Sequence, residues 1–362
     1  MAHKIKILHV GDWVSGGLAT YIETILDADK HYKHFLLASL ENSEKRVTNR
    51  DEFIPIRSYK RTPTAIFKAF MQTREEIQKI QPDILYAHSS FAGVFARVAT
   101  LRINKRPKVI YCAHGWSFLM QGSLIKRSLY RWLEKGLALI SDAIIVISHN
   151  EYKAAVDIAI DKKKLFKIHH GISSKYDSLH PNNHYTNAFN NNKINILFLG
   201  RYDKAKGFDW LMNFIKKYPS DAIQWHCAGQ AIVDEEISIP SIITNHAWVE
   251  HKDIAQLLLQ CDALIMPSRW EGFGLSVIEA MKYSKPVIAS KNGALTELIE
   301  HNINGYLFDL NEEELLYIIK NLNGKKLKVM GEVANSLFEK KYTDVVMLDK
   351  LDKLINDLVS IG

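Results

Sequence analysis

Cysteine is scarce in this 362-residue chain: Cys112, Cys227 and Cys261 are scattered, each in or beside an apolar run. Three such residues do not make a disulfide framework, and they read as buried thiols of a reducing compartment. Long hydrophobic runs are also missing, since none approaches the roughly 20 residues needed to span a bilayer. The first ten residues, Met1 to Val10, alternate like a first strand and lack the apolar core and cleavage site of a signal peptide. No recognised nucleic-acid-binding module occurs, so a basic nucleic-acid binder has nothing to stand on beyond charge.

What is present is an ordinary globular composition and enough length for two domains, each able to bury its own core. Charge is unevenly shared. Residues 1–180 hold 28 Lys and Arg against 17 Asp and Glu, a balance of +11, while the remainder carries −4. A basic first half points toward an anionic partner such as membrane lipid or a phosphorylated acceptor; solubility alone is the plainer explanation.

Strand-like runs alternate with helical patterns throughout. Strands are expected at 5–10, 35–38, 84–88, 108–112 and 143–147, with helices at about 19–27, 65–80, 91–101 and 125–140 between them. The Asn-rich tract 181–193 interrupts this rhythm as a linker. Strands then resume at 194–199, 223–228, 242–245, 263–266 and 286–289, and 345–359 has the apolar spacing of a final helix. The βαβ rhythm predicts two doubly wound parallel-sheet domains facing a cleft, with ligands outside the strands' carboxyl ends. Expected boundaries are a first domain over 1–180, the linker over 181–193, a second domain over 194–344 and a helix over 345–362 that could cross back to the first.

Four constellations lie at expected strand ends. The most informative is Glu271-Gly272-Phe273-Gly274-Leu275, which follows the run 263–266 and leads into a helix containing Glu279. Glycines let backbone N–H groups approach a ligand, and a helix N-terminus favours an anion. Each carboxylate can accept from vicinal hydroxyls. Together these features suit a phosphorylated polyol such as a nucleotide sugar. The second is Gly200-Arg201-Tyr202-Asp203-Lys204-Ala205-Lys206-Gly207, whose Arg201 and Lys206 can clamp a diphosphate and stabilise its charge as it leaves. The third is the turn Ser15-Gly16-Gly17, which lacks the third glycine of a dinucleotide fingerprint. The fourth is Ala113-His114-Gly115-Trp116-Ser117, where His114 can bond a sugar hydroxyl or stabilise developing charge.

Glu271 and Glu279 with the intervening Gly-Phe-Gly-Leu resemble the signature of retaining family-4 glycosyltransferases of the GT-B fold, and the family's Gly-Arg-x4-Lys-Gly motif is matched by 200–207. The resemblance spans nearly the whole chain and is strongest from Gly200 to Phe308. It implies that Glu271, the amides of Gly272, Phe273, Gly274 and Leu275, and His114 meet the transferred sugar. Glu279 would hold the ribose, Arg201 and Lys206 the diphosphate, and the loop at Trp248 and Val249 the base. Gly16 and Gly17 would lie near the donor phosphate or the acceptor. The His-Gly-Trp-Ser form is similar to bacterial enzymes that build O-antigen and capsule repeat units on undecaprenyl diphosphate.

The expected activity is a retaining hexosyl transfer from a nucleotide-diphosphate sugar, most simply a UDP-sugar, with no metal or other cofactor. The expected acceptor is a lipid-linked sugar at the cytoplasmic face of the inner membrane. A soluble sugar or sugar-phosphate acceptor is the alternative, and a nucleotide-sugar 2-epimerase shares the architecture. Two details depart from the family pattern: Lys291-Asn292-Gly293-Ala294 replaces a frequent Gly-Gly pair, and His169-His170-Gly171 replaces Pro-Asn-Gly. Without a His-x3-His or a Cys partner, the adjacent histidines are expected in a loop and not on a metal. The segment 124–137 carries Leu124, Ile125, Leu129, Trp132, Leu133 and Leu137 on one helical stripe flanked by basic residues. That stripe is expected to pack on the core, as in most amphipathic helices, with an anionic leaflet as the alternative.

Overall fold

A computed structural model of the chain describes residues 4–29, 31–57, 59–120, 122–175, 188–231 and 238–360. Most of the expected linker, 181–187, lies outside the described residues. The chain divides into two compact units, Met1–Ile172 with Asp344–Gly362, and Ser173–Thr343.

The first unit is built on seven strands: β1 Lys6–Val10, β2 Lys33–Ser39, β3 Phe53–Ile56, β4 Ile84–His88, β5 Lys108–Cys112, β6 Ala143–Val146 and β7 Leu165–Lys167. Their order is β3-β2-β1-β4-β5-β6-β7, every pair parallel. The second unit has six: β8 Ile194–Leu199, β9 Ile223–Ala228, β10 Ile243–Asn245, β11 Ala263–Met266, β12 Val287–Ser290 and β13 Gly305–Phe308. These run β10-β9-β8-β11-β12-β13, also parallel. Two parallel sheets are what the βαβ rhythm predicts. The three strands absent from that expectation, β3, β7 and β13, are all sheet edges. They are short and carry Pro55, Lys167 and Gly305, so their apolar signal is weak.

Central strands are buried on both faces, as parallel sheets require, and the cores are correspondingly aliphatic. Leu8, Val10, Leu85, Ala87, Val109 and Val146 belong to one cluster; Ile196, Phe198, Trp225, Ala263, Ile265 and Ile288 belong to the other. Several helices start where a side chain satisfies free N–H groups. Thr62 caps the helix Pro63–Ile80, Asn311 caps Glu312–Lys320, and Asn323 caps Gly324–Lys341. Ser148 and Glu151 form a reciprocal cap: Ser148 Oγ accepts from Glu151 N at 3.1 Å, and Glu151 Oε2 accepts from Ile147 N at 3.0 Å. The last helix, Asp344–Ser360, is anchored in the first unit by the Asp344 amide on Ile172 O at 2.9 Å and by Gly171 N–H on Met347 Sδ at 3.2 Å.

The helix Leu124–Ala138 overturns the expected core packing of its apolar stripe. Leu124, Ile125, Leu129 and Trp132 are exposed, Ile125 to 82% and Trp132 to 72%, while Glu134 is buried. The reason lies in what the inward face carries. Glu134 accepts from buried Arg97 and from Tyr111, both at 2.7 Å, and the Arg97 guanidinium lies 3.7 Å from the Tyr111 ring centroid. Turning the helix to bury its leucines would strand two charges, so the ion pair decides which face looks out. Glu134→Ala is expected to cost about 3–5 kcal/mol by leaving Arg97 buried without its partner. Urea unfolding of the full chain measures this, and a loss below about 1 kcal/mol, the range of exposed pairs, would contradict it.

Candidate active site

In both sheets the strand order reverses between two adjacent strands, β1 and β4 in one and β8 and β11 in the other. The carboxyl side of such a switch point is where a crevice opens in doubly wound sheets. In the six-stranded unit, the loops after β8 and β11 hold Arg201, Lys206 and Glu271.

Backbone contacts lock these two loops together. Arg269 N donates to Ala205 O at 2.9 Å, and its guanidinium reaches Lys204 O at 2.6 Å and both carboxylate oxygens of Asp209 at 2.5 and 2.9 Å. Gly207 has φ 68°, and a Cβ there would lie 1.9 Å from Pro267 O, so only glycine permits the approach. Asp203 turns the first loop by accepting from Lys206 N at 2.8 Å. The result is an ion pair between Lys206 Nζ and Glu271 Oε2 at 2.6 Å, with Glu271 buried. Glu271 is seated from behind by Gly293, which has φ 55° and whose Cβ would meet Glu271 O at 2.4 Å. The sequence Asn292-Gly293 thus keeps the one glycine that this contact needs. Asn292 Nδ2 and Ser290 Oγ both donate to Ser268 O, at 3.0 and 2.6 Å, fixing the strand end before Glu271.

Arg201 is exposed and pairs with Asp203 at 3.1 Å. Gly272 is partly buried, Phe273 and Gly274 are buried, and Gly274, in the left-handed region at φ 98°, precedes the helix Leu275–Lys282. No side chain caps that helix. Glu279 lies on its second turn, with His251 Nε2 3.6 Å from its Oε1. Beyond β10, Trp248 is exposed and Val249 buried, after a turn held by Ala247 N on Asn245 Oδ1 at 2.9 Å. Two cations, two carboxylates and a helix start without a side-chain cap therefore lie at one sheet edge. They can meet a ligand that is anionic at one end and hydroxylated at the other.

Gly16, Gly17 and His114 belong to the seven-stranded unit. Gly16, at φ 56°, caps the helix Gly17–Ala28, and its N–H donates to Glu44 Oε1. His114 follows β5 and is partly exposed. Both of its ring nitrogens are engaged: Nε2 lies 3.0 Å from His88 Nδ1, and Nδ1 lies 3.0 Å from His170 Nε2. His170, expected in a loop, does follow β7, but its side chain is buried against His114. Sequence reasoning missed this contact. Among the described residues no group of three or more His, Cys, Asp or Glu is arranged to hold a metal ion.

Residues 15–176 match the Glycosyltransferase Family 4 profile, and residues 181–334 match Glycosyl transferases group 1. The chain belongs to the family-4, group-1 glycosyltransferases. This glycosyltransferase is 31% identical over 350 residues to an uncharacterized 41.2 kDa protein in the cps region of Klebsiella pneumoniae, covering 93% of this chain and 96% of that one. It is 22% identical to the UDP-Gal:alpha-D-GlcNAc-diphosphoundecaprenol alpha-1,3-galactosyltransferase of Escherichia coli, over 81% of this chain and 80% of that one. Its fold is GT-B: the crystal structure of Anabaena HepE in complex with UDP and glucose superposes with a TM-score of 0.81 at 18% identity, covering 97% of this chain and 99% of HepE.

The glycosyltransferase's buried histidines carry a pH consequence. Burial drives the imidazoles of His9, His88 and His170 well below their ordinary value, and His114 down to about 3. The unfolded chain protonates these rings near pH 6.5 while the fold keeps them neutral. The unfolded state then binds more protons, so stability falls as pH falls, by about 1.4 kcal/mol per pH unit for each ring. Urea midpoints should be level above about pH 7.5 and drop steeply between about 6.5 and 5. A level profile through that window would contradict the neutral burial.

Proposed function

We propose that this glycosyltransferase transfers a hexose or N-acetylhexosamine, with retention, from a UDP-sugar to a sugar linked to undecaprenyl diphosphate in bacterial surface polysaccharide assembly. The observation that carries the donor assignment is the Lys206–Glu271 pair at the β8–β11 switch point. It sets a cation beside a carboxylate where a sugar diphosphate has its phosphate beside its hydroxyls. Arg201 and Lys206 take the diphosphate and stabilise the charge that grows as it leaves. Glu279 takes the ribose hydroxyls, Glu271 and the amides of Gly272, Phe273, Gly274 and Leu275 the sugar, and the Trp248–Val249 loop the base. In the seven-stranded unit Gly16 and Gly17 serve the acceptor, and His114, its ring nitrogens engaged by His88 and His170, serves it through the face of a neutral ring. Membership of the family implies a reaction that uses no metal, with side-chain cations at the phosphates. Such membership also implies that the acceptor hydroxyl attacks from the side the diphosphate leaves, and that this phosphate takes its proton.

The acceptor assignment draws on the lipid-linked substrate in the name of the Escherichia coli relative and on the cps location of the Klebsiella one. It also draws on the outward apolar face of the helix Leu124–Ala138, bordered by Lys126, Arg131 and Lys135. No helix among the described residues is long and apolar enough to cross a membrane. A peripheral seat on the cytoplasmic leaflet fits such a helix, with leucines and tryptophan in the acyl boundary and basic residues at anionic headgroups.

Glu271→Ala, Arg201→Ala and Lys206→Ala should each lower turnover about 100-fold or more with folding retained. The assay offers UDP- and GDP-sugars with undecaprenyl-diphosphate-linked acceptors and reads products by mass spectrometry. Wild-type rates in all three variants would overturn the donor site, and glycoside formed only on free sugars would favour a soluble acceptor. Epimerised donor with no glycoside would point instead to a 2-epimerase. For the membrane, the triple change Leu124→Ser, Ile125→Ser and Trp132→Ser should abolish co-sedimentation with anionic phosphatidylglycerol vesicles, and undiminished binding would remove the helix from the docking surface.

A further inference from the structure

Five imidazoles form one continuous row inside the seven-stranded unit. Each link joins Nδ1 of one ring to Nε2 of the next at 3.0 Å: His34 to His9, His9 to His88, His88 to His114, and His114 to His170. At its far end His34 Nε2 lies 3.1 Å from Asp29 Oδ2. The sheet register produces this line. His34 pairs with Ile7, His9 with Tyr86, and His88 with Cys112. His9, His88 and His114 each stand two residues beyond the residue so paired. A step of two keeps the side chain on one face of a strand. The rings therefore climb diagonally, one strand over and two residues onward at each step, from Asp29 to His114.

The donor and acceptor sense along the row is determined from one end. Burial acts to raise the Asp29 carboxyl, but hydrogen bonds from the His34 ring and the His31 amide outweigh it and hold the group below its ordinary range. A carboxylate only accepts, so His34 must donate from Nε2. With His34 neutral and its one N–H on Nε2, its Nδ1 accepts, and the same choice passes to His9, His88 and His114.

We propose that Asp29 is a positioning residue for His114: acting through His34, His9 and His88, it fixes His114 as the Nε2–H tautomer, donating to His88 and accepting from His170 at Nδ1. The alternative, conduction of a proton along the row, requires a charged imidazole within it, and burial opposes that charge at every inner ring. The row transmits orientation and not charge. Among the described residues, other ring and titratable groups lie against or near the row. Tyr21 packs against His114 and His170 at centroid distances of 4.8 and 4.6 Å, Tyr86 against His88 at 4.1 Å, and their hydroxyls bond each other at 2.6 Å. Burial pushes both hydroxyls and the nearby Cys112 thiol up, so all three stay protonated. Tyr32 lies 6.4 Å from His34, burial raises its hydroxyl as well, and Asp352, near Asp29 and His31, is itself raised by burial. His169 neighbours His170 and acts only to lower it further.

The consequence for transfer rests on the donor site proposed above; the tautomer does not. With both nitrogens committed, His114 presents a neutral ring and no basic nitrogen to the acceptor. The acceptor's proton then has no imidazole at His114 to take it, in keeping with its passage to the departing phosphate oxygen in the reaction proposed above.

The test is ¹⁵N NMR of the full chain labelled at its histidine rings, with His114 assigned by loss of its signals in His114→Gln. Wild type should show a pyridine-like Nδ1 and a pyrrole-like Nε2 at His114, without titration between about pH 6 and 9. Asp29→Asn offers both a donor and an acceptor, so it should raise the Nδ1–H fraction at His114 by about threefold or more. His9→Phe cuts the row and should do the same at His114 while His34 stays fixed by Asp29. An Nδ1–H tautomer in wild type, or an unchanged ratio in either folded variant, would overturn the proposal. No substrate enters the measurement, so failure of the donor assignment leaves its outcome readable.

Discussion

Parallel pairing sends the carboxyl ends of neighbouring strands to the same edge of a sheet, and much of the chemistry of this glycosyltransferase depends on that constraint. Lys206, Trp248 and Glu271 are far apart in sequence, yet they follow strands of one parallel sheet, β8 and β11 side by side and β10 two places from β8. No single loop has to be long, because each contributes one or two groups from a fixed height. The loops still need to meet. Gly207 against Pro267 and Gly293 against Glu271 show the close approaches that convert adjacent strand ends into a single polar surface. Side-chain volume at either glycine would separate the cation from the carboxylate before any ligand arrived.

The other unit uses its sheet differently. Its interior face carries imidazoles where aliphatic side chains would pack more simply, and their mutual hydrogen bonds satisfy groups that burial would otherwise penalise. A similar economy governs the helix Leu124–Ala138, where one buried carboxylate pairs with Arg97 and Tyr111 and the leucines are left outside. In both places the polar contacts inside decide what the surface offers. That is consistent with buried ionic groups selecting one arrangement among several of similar apolar content.

The interior strands were legible in sequence nearly to the residue. β4, β5, β8, β9 and β11 coincide with the apolar runs that predict them, since a strand buried on both faces must be apolar along its length. Edge strands β3, β7 and β13 were not, because one side faces no partner and residues such as Pro55 and Lys167 are tolerated there. The loops carrying Lys206 and Glu271 stood out by their glycines and charges, but the 2.6 Å contact between them did not, since strand order is not written in either loop. The histidine row was invisible for the same reason. Its only local trace is a polar residue at a buried position of otherwise apolar strands: His9 in β1, His34 in β2 and His88 in β4. The helix 124–138 shows a further limit, for periodicity reveals a stripe but not which side of the helix the fold keeps. Glu134, the acidic residue on the opposite side, was the available signal.

The outward stripe of that helix also bears on how the isolated protein behaves. Ile125 and Trp132 are large and exposed on one side of the helix, about two turns apart. Were two such faces to meet in water without lipid, the flanking Lys126, Arg131 and Lys135 would oppose the pairing by like-charge repulsion. Salt screens that repulsion and leaves the apolar attraction intact. Dispersed chains are thus favoured at low ionic strength and self-association at high, the reverse of an interface held by ion pairs.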